Sequence, residues 1–374
     1  MKIIMLGHKR IPSREGGVER VVEELGVRMA SAGHEVCAFN RYGEHVSGRE
    51  YSSGQEKLKE YEGIKIKVIP TFKVKSLNAV VYAFFGTLSA VLKKSDVIHF
   101  HTEGICAFLF LPWLLRKNIV VTIHGLDWKR DKWKGFSKSF IKFGEKCAVR
   151  FADKIIVLSE DTQRYFKDTY GRETVYIPNG ANPAVRREPK LITEKFGLEK
   201  DGYILFLARL VPEKGLHYLL EAFSRIDTDM KLVIAGGGSH SSDYVAEIKK
   251  MADKDKRVIM TGFVQGEILD ELYSNAYVYV LPSDIEGMPM SLIEAYTYGN
   301  CCLVSDIYEN VNVASDRSIT FKQGDVNDLR SRLAELLADS ERVKRSREGI
   351  SEFILDKYNW DDIVEKTLKL YMQK

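Results

Sequence analysis

Short apolar runs recur along the chain, separated by stretches in which apolar positions return every three or four residues. The runs Lys2–Leu6, Glu35–Asn40, Ile64–Pro70, Val97–His101, Ile119–His124 and Lys154–Ser159 read as strands. Between the first two, Gly17–Gly33 carries Val18, Val21, Val22, Leu25, Val27 and Met29 at helical spacing, with Gly33 where a left-handed C-terminal cap belongs. The second half repeats the alternation. Tyr203–Ala208, Lys231–Ala235, Val258–Thr261, Ala276–Leu281, Cys301–Val304 and Ile319–Phe321 read as strands, and helices fall near Gly215–Ile226, Ser242–Ala252, Glu267–Asn275, Ser291–Tyr298 and Val326–Leu337. Alternation of this kind predicts α/β structure, each half a parallel sheet wound on both faces.

The aperiodic stretch Ile177-Pro-Asn-Gly-Ala-Asn-Pro, followed by Arg186-Arg-Glu-Pro, reads as a linker. It divides the chain into domains 1–185 and 186–358. A final helical stretch, Phe353–Tyr371, has a start signal at Trp360–Asp361, and its periodicity does not decide which half it joins. In open parallel sheets ligands bind beyond the strand C-termini, so the expected active site is a cleft served by both domains.

A length of 374 residues fits two domains of ordinary size, and 45% hydrophobic with 29% charged residues excludes disorder and fibrous classes. Five cysteines without a Cys-x-x-Cys pair argue against disulfides and zinc and for a reducing, cytoplasmic setting. The opening Met1-Lys-Ile-Ile-Met-Leu-Gly is too short an apolar run for a signal peptide. The apolar runs Asn78–Leu92 and Ile105–Leu115 fall short of the ~20 residues that span a bilayer, and both are expected as buried core helices.

A net charge of +4 is too mild to imply nucleic-acid binding. One segment is locally basic. Residues 128–150 hold Lys129, Arg130, Lys132, Lys134, Lys138, Lys142, Lys146 and Arg150 against Asp131 and Glu145, with Trp128, Trp133, Phe136, Phe140 and Phe143 interleaved. A solvated helix face and a peripheral contact with an anionic membrane surface both fit that pattern.

Candidate chemistry is richest at Leu281-Pro-Ser-Asp-Ile-Glu286-Gly-Met-Pro-Met-Ser-Leu-Ile-Glu294, a buried strand, a glycine turn and a helix opening at Met290 and Ser291. Backbone N–H groups at that opening suit a diphosphate, and Glu286 and Glu294 suit sugar hydroxyls. Ala208-Arg209-Leu-Val-Pro-Glu213-Lys214-Gly215 places two cations at a strand end, which an anionic ligand would hold together. Glycine turns after strands, Gly7 to Gly16-Gly17 with Arg10 and Arg14, and Gly236-Gly237-Gly238-Ser239, permit close backbone approach to a ligand. Neither the dinucleotide fingerprint nor the P-loop is present. His99, His101, Glu103 and His124 stand at strand ends of the first half; His124, followed by Gly125 and Asp127, is the strongest of them. Asp284 and Glu286 alone make a weak case for a divalent cation, and no metal is expected.

In this order, Arg209 to Lys214, Gly236-Gly-Gly, Thr261-Gly-Phe263-Val264 and Glu286-Gly-Met-Pro to Glu294-Ala resemble the retaining glycosyltransferases of family four, which have the two-domain GT-B fold. The opening Met5-Leu-Gly-His to Gly17-Val-Glu and His124-Gly-Leu-Asp-Trp resemble a bacterial subgroup that builds surface polysaccharides, rhamnosyltransferases included. The resemblance implies a nucleotide-sugar donor, a saccharide or polyprenyl-linked acceptor, no cofactor and no metal. It assigns Arg209 and Lys214 to the donor diphosphate, Glu294 to the ribose, Glu286 to the donor sugar, and Phe263 with Val264 to the base. It also assigns Gly16 and Gly17 to phosphates or acceptor and His124 to the sugar, and it implies that helix 359–374 crosses back to the first domain. A hydrolase or epimerase using His101, Glu103 or Asp127 as base, and a non-catalytic nucleotide-sugar sensor, are the alternatives.

Overall fold

The computed structural model describes all residues except 14–15, 43–57, 72–74, 130–132, 134, 239–241 and 374. Arg14, Ser239 and the basic-segment residues Arg130, Asp131, Lys132 and Lys134 lie outside the described residues. The chain forms two units, residues 1–180 with 360–374, and residues 181–359.

Unit 1 is built on strands β1 (Lys2–Leu6), β2 (Glu35–Arg41), β3 (Glu60–Tyr61), β4 (Ile64–Ile69), β5 (Val97–His101), β6 (Ile119–Ile123), β7 (Lys154–Val157) and β8 (Val175–Tyr176). Their order is β3-β4-β2-β1-β5-β6-β7-β8, parallel throughout except for the short β3–β4 pair. The helices are α1 (Gly17–Ser31), α2 (Lys75–Leu92), α3 (Phe110–Leu114), α4 (Gly135–Phe151), α5 (Glu160–Tyr170) and, from the other end of the chain, α15 (Trp360–Met372). The pleat sorts β1 between two cores. Ile3 and Met5 join Val21, Leu25, Ile363 and Tyr371 on one face, whereas Ile4 and Leu6 join Tyr82, Phe100, Ala148 and Phe166 on the other. A strand buried on both faces must be apolar at every position, which is why these runs lack alternation.

Unit 2 has β9 (Tyr203–Leu207), β10 (Lys231–Ala235), β11 (Val258–Gly262), β12 (Val278–Leu281), β13 (Cys302–Ser305) and β14 (Ile319–Phe321), all parallel, in the order β11-β10-β9-β12-β13-β14. Its helices are α6 (Leu191–Phe196), α7 (Leu216–Phe223), α8 (Ser242–Ala252), α9 (Glu267–Asn275), α10 (Met290–Thr297), α11 (Tyr308–Ala314), α12 (Val326–Ala338), α13 (Ser340–Arg347) and α14 (Ile350–Lys357). Both units are Rossmann-like.

The division falls after Gly180, five residues before the 185/186 expected from composition. The reason is local pairing. Ala181 forms a parallel bridge with Asn359 and its N–H donates to the Tyr358 carbonyl at 2.7 Å, so the chain enters and leaves unit 2 side by side. Tyr358, with φ −118° and ψ 45°, ends α14, so the single helical stretch expected over 353–371 is two helices. Beyond the break α15 packs into unit 1: a Cβ on Gly180 would lie 2.2 Å from the Trp360 ring, and the Tyr371 hydroxyl lies 2.6 Å from His99 Nδ1.

Candidate functional site

In unit 2 the sheet order reverses between β9 and β12, whose connections leave to opposite faces and open a crevice at their carboxyl ends. The chain leaving β9 runs through Arg209, then a single turn of 3-10 helix over Pro212–Lys214, and turns at Gly215 with φ +65°. A Cβ at Gly215 would sit 1.9 Å from the Pro282 carbonyl oxygen, so the loop after β9 packs directly against the loop after β12. The Asp284 N–H donates to the Glu213 carbonyl at 2.9 Å and stitches the two together.

That juxtaposition brings Lys214 Nζ to 2.5 Å from Glu286 Oε1, and Ser283 Oγ donates to the same oxygen at 2.6 Å. The two side chains are 13% and 7% exposed. A shielded ion pair adds little to stability, because desolvation offsets the attraction, but it holds an ammonium with further N–H donors in a fixed place. Arg209 is half-buried at the start of the same loop.

Helix α10 opens beside it, after Pro289, presenting the first-turn N–H groups of Met290 and Ser291 that have no partner within the helix. Two tyrosines hold this turn. The Tyr279 hydroxyl lies 2.9 Å from Ser291 Oγ and 3.1 Å from the Leu207 carbonyl, while that of Tyr273 lies 3.3 Å from Glu294 Oε2 and 3.1 Å from the Ser291 carbonyl. Burial pushes the Tyr279 pKa well above its ordinary value, so it serves as a neutral donor. On the other side of β9, Gly236 has φ +147°, and a Cβ there would meet the Ala208 carbonyl at 1.9 Å. The adjacent Gly237 packs toward Phe263, 3.7 Å from its hypothetical Cβ to that of the phenylalanine, and Phe263 and Val264 are half-buried beyond β11. The described unit 2 residues singled out from sequence therefore stand at or just beyond the carboxyl ends of four adjacent strands, and Lys214 and Glu286 touch.

In unit 1 the corresponding reversal lies between β1 and β5. Gly16 is the extended N-cap of α1 and Gly17 its exposed first residue. The preceding loop is braced by carboxylates: Lys9 N–H donates to Glu19 at 2.8 Å and Ser13 N–H to Glu23 at 3.2 Å. His124 Nε2 lies 3.0 Å from His101 Nδ1, whose ring stacks 4.1 Å from that of His99. His99 also reaches Thr122 Oγ1 at 2.7 Å. Burial lowers His8 to about 4 and His99 to about 3, and holds His101 well below the usual histidine range. Burial, with Asp127 beside it, raises Glu103 well above the carboxylate range. His8, His99 and His101 are thus uncharged near neutral pH. Among the described residues His8 Nδ1, His101 Nε2 and Glu103 Oε2 are buried without a hydrogen-bond partner. Neutral hydrogen-bonding groups at strand ends suit hydroxyl groups better than phosphates.

Ser283, Tyr273, Tyr279 and His8 were not anticipated. The tyrosines sit in apolar patterns, where nothing distinguishes a ring that donates from one that only packs. Ser283, three residues before Glu286 in a turn, carried the one usable signal.

Residues 15–185 match the family described as Glycosyltransferase Family 4, and residues 190–353 match that described as Glycosyl transferases group 1. The chain is similar to an uncharacterised glycosyltransferase of Methanocaldococcus jannaschii, 26% identical across 99% of this chain and 98% of that protein. It is 28% identical to the UDP-Gal:alpha-D-GlcNAc-diphosphoundecaprenol alpha-1,3-galactosyltransferase of Escherichia coli, across 60% of this chain and 62% of that one. Among solved structures, sucrose-phosphate synthase from Thermosynechococcus elongatus superposes with a TM-score of 0.83 at 19% identity, covering 99% and 98% of the two chains. Anabaena HepE in complex with UDP and glucose does so at 0.79 and 16% identity, covering 99% of each. Two Rossmann-like sheets, the glycine turns and cation-bearing strand ends, and family matches that follow one another along nearly the whole chain lead to one conclusion: this protein belongs to the GT-B glycosyltransferases of family 4 and group 1, enzymes that use a nucleotide-sugar donor.

Proposed function

We propose that this glycosyltransferase moves a sugar from a nucleoside-diphosphate carrier to a polyprenyl-linked saccharide, with retention of configuration, during bacterial surface polysaccharide assembly. The observation that carries the donor half is the Lys214–Glu286 pair at the β9/β12 switch point, with Arg209 on the same loop. In this reading Arg209 and Lys214 neutralise the diphosphate and assist its departure, the Met290–Ser291 opening of α10 contributes N–H groups, and Glu294 accepts from the ribose. Gly237, Phe263 and Val264 flank the base, Glu286 orients the sugar, and His124 hydrogen-bonds it. The neutral, buried His8 and His101, each with a ring nitrogen lacking a partner among the described residues, and the carboxylate-braced loop before Gly16–Gly17 favour an acceptor over a phosphate there.

Metal independence is part of the proposal: Lys214 is shared between Glu286 and the diphosphate, and Arg209 with the N–H groups that open α10 supplies the rest of the positive field on the phosphates. For retention, the acceptor oxygen bonds to the anomeric carbon on the face from which the phosphate leaves, the carbon–oxygen bond to the phosphate breaks, and the acceptor proton passes to a phosphate oxygen. No protein nucleophile is needed. The polyprenyl acceptor is supported by the Escherichia coli relative, whose name specifies a diphosphoundecaprenol substrate. Five unpaired, buried cysteines favour a reducing, cytoplasmic setting.

The test has two steps. A nucleotide-sugar panel should identify one donor that stabilises the protein by about 2.7 kcal/mol at a hundredfold excess over its Kd. Transfer of that sugar to a polyprenyl-diphosphate saccharide, in chelator, should then give a product whose anomeric proton coupling matches the donor. An inverted product, or transfer to free saccharide with none to the lipid-linked one, would reject the corresponding part.

A further inference from the structure

The helices α2, α3 and α4 of unit 1 carry a surface that the donor site does not use. Thirteen large apolar side chains are exposed among the described residues, and nine lie on these three helices or at the C-cap of α3; unit 2 contributes only Val185. The most exposed of the nine are Leu92 at 79%, Phe136 at 77%, Leu114 at 64% and Leu115 at 60%. The runs 78–92 and 105–115, expected as buried core, are therefore core on one side only. Tyr82 and Ala83 of α2 are buried, whereas Phe84 and Phe85 are exposed.

Ring contacts tie the three helices together. Rings link α2 to α3 through Phe84 and Phe108, 5.4 Å apart, and Phe108 and Phe110, 6.5 Å apart, and Trp113 lies 5.3 Å from Phe151 at the end of α4. Monomeric proteins seldom leave so many large apolar side chains of neighbouring helices to water.

Its charge is one-signed. Lys138, Lys142, Lys146 and Arg150 are exposed on α4, and Phe136, Phe143 and Arg150, seven residues apart in turn, share one stripe of that helix. The single acid on these three helices, Glu145, is buried and held by the Trp128 indole at 2.9 Å and the hydroxyls of Tyr165 at 2.8 Å and Tyr170 at 2.5 Å. It contributes no carboxylate to the exposed face. Lys142 sits 4.1 Å above the Trp128 ring. Aromatic and leucine side chains beside cations match the interface of an anionic bilayer, where the apolar groups enter the acyl boundary and the cations meet the headgroups. Among the described residues no helix is long and apolar enough to cross a membrane.

We infer that the α2–α3–α4 face is a membrane-docking surface that binds anionic phospholipid. It extends well beyond the basic segment 128–150. The inference gives the polyprenyl-acceptor reading a physical route but is tested without donor or acceptor. In flotation with phosphatidylcholine vesicles, with or without phosphatidylglycerol, the whole protein should float only with phosphatidylglycerol and be released by salt. Lys146→Gln with Arg150→Gln should weaken partitioning about thirtyfold, at roughly fivefold per cation. Leu114→Ser with Leu115→Ser should weaken it by about tenfold or more, and Trp113 emission should be quenched by brominated lipid. All variants should keep wild-type melting and nucleotide binding.

Failure of the wild type to float, equal flotation of the variants, or a concentration-dependent dimer through this face without flotation would overturn the inference. Flotation without transfer to a lipid-linked acceptor would instead sink the acceptor reading and leave the docking surface standing.

Discussion

Replacing Lys214 by methionine preserves side-chain length and removes the ammonium that Glu286 contacts at 2.5 Å. Glu286, 7% exposed, is then left with the Ser283 hydroxyl as its donor from the pair's surroundings. Removing one member of a buried pair costs about 3–5 kcal/mol, and the 13% exposure of Lys214 places this case near the lower figure. Glu286→Gln keeps an acceptor for both Lys214 and Ser283 and should cost about 1 kcal/mol. The double variant should recover about 2 kcal/mol relative to the sum of the singles, because neither charge is stranded.

Binding separates the two residues more sharply. Loss of a charge-assisted hydrogen bond to phosphate removes about 1.5–3 kcal/mol, so Lys214→Met should bind a nucleoside diphosphate roughly 10- to 150-fold more weakly. Glu286→Gln removes a negative charge from beside the ammonium and should leave that affinity unchanged or improved, while sugar transfer is lost. Calorimetric titration with the nucleoside diphosphate, beside urea unfolding of each variant, reads both effects. Wild-type nucleotide affinity in Lys214→Met, or equal losses in the two variants, would refute the division of roles.

Acid stability offers an independent check. His8, His99 and His101 have folded pKa values far below the ordinary 6.5, so the stability they confer is complete above pH 6.5 and is lost as the pH falls below it, when only the unfolded chain takes up protons. Glu103 acts oppositely: its raised pKa gives stability below about pH 4.5 that is lost as the pH rises. With its folded pKa at about 3, His99 leaves one proton to be taken up only by the unfolded chain between pH 6.5 and 4.5, so His99→Gln should lower the slope of stability against pH there by about 1.4 kcal/mol per pH unit; an unchanged slope contradicts the burial argument. Gly236→Ala, whose Cβ would lie 1.9 Å from the Ala208 carbonyl, should cost more than about 3 kcal/mol, whereas Gly33→Ala, with φ +84° but nothing within 4 Å, should cost about 1. Equal melting shifts would show that backbone conformation, and not the close approach, governs these glycines.

The sheets were legible because parallel strands buried on both faces leave uninterrupted apolar runs. The two-residue strands β3 and β8 were not, since a segment that short has no period. Lys214 and Glu286, 72 positions apart, were each visible as a charge near a strand end, but their contact follows from Gly215 packing on Pro282, a tertiary fact. The roles of Tyr273 and Tyr279 were hidden because an apolar pattern reads a tyrosine ring and ignores its hydroxyl. Segments 78–92 and 105–115 misled for a related reason. Hydrophobicity predicts that a residue seeks to leave water, and it does not say whether the protein core or another surface receives it.

The most direct measurement is the structure of the enzyme with its nucleotide-sugar donor. Diphosphate oxygens should lie within about 3 Å of the Arg209 guanidinium and the Lys214 ammonium, with the ribose hydroxyls on Glu294. A donor whose phosphates lie away from the carboxyl ends of β9 and β12, leaving Lys214 and Arg209 without phosphate contacts, would contradict that assignment.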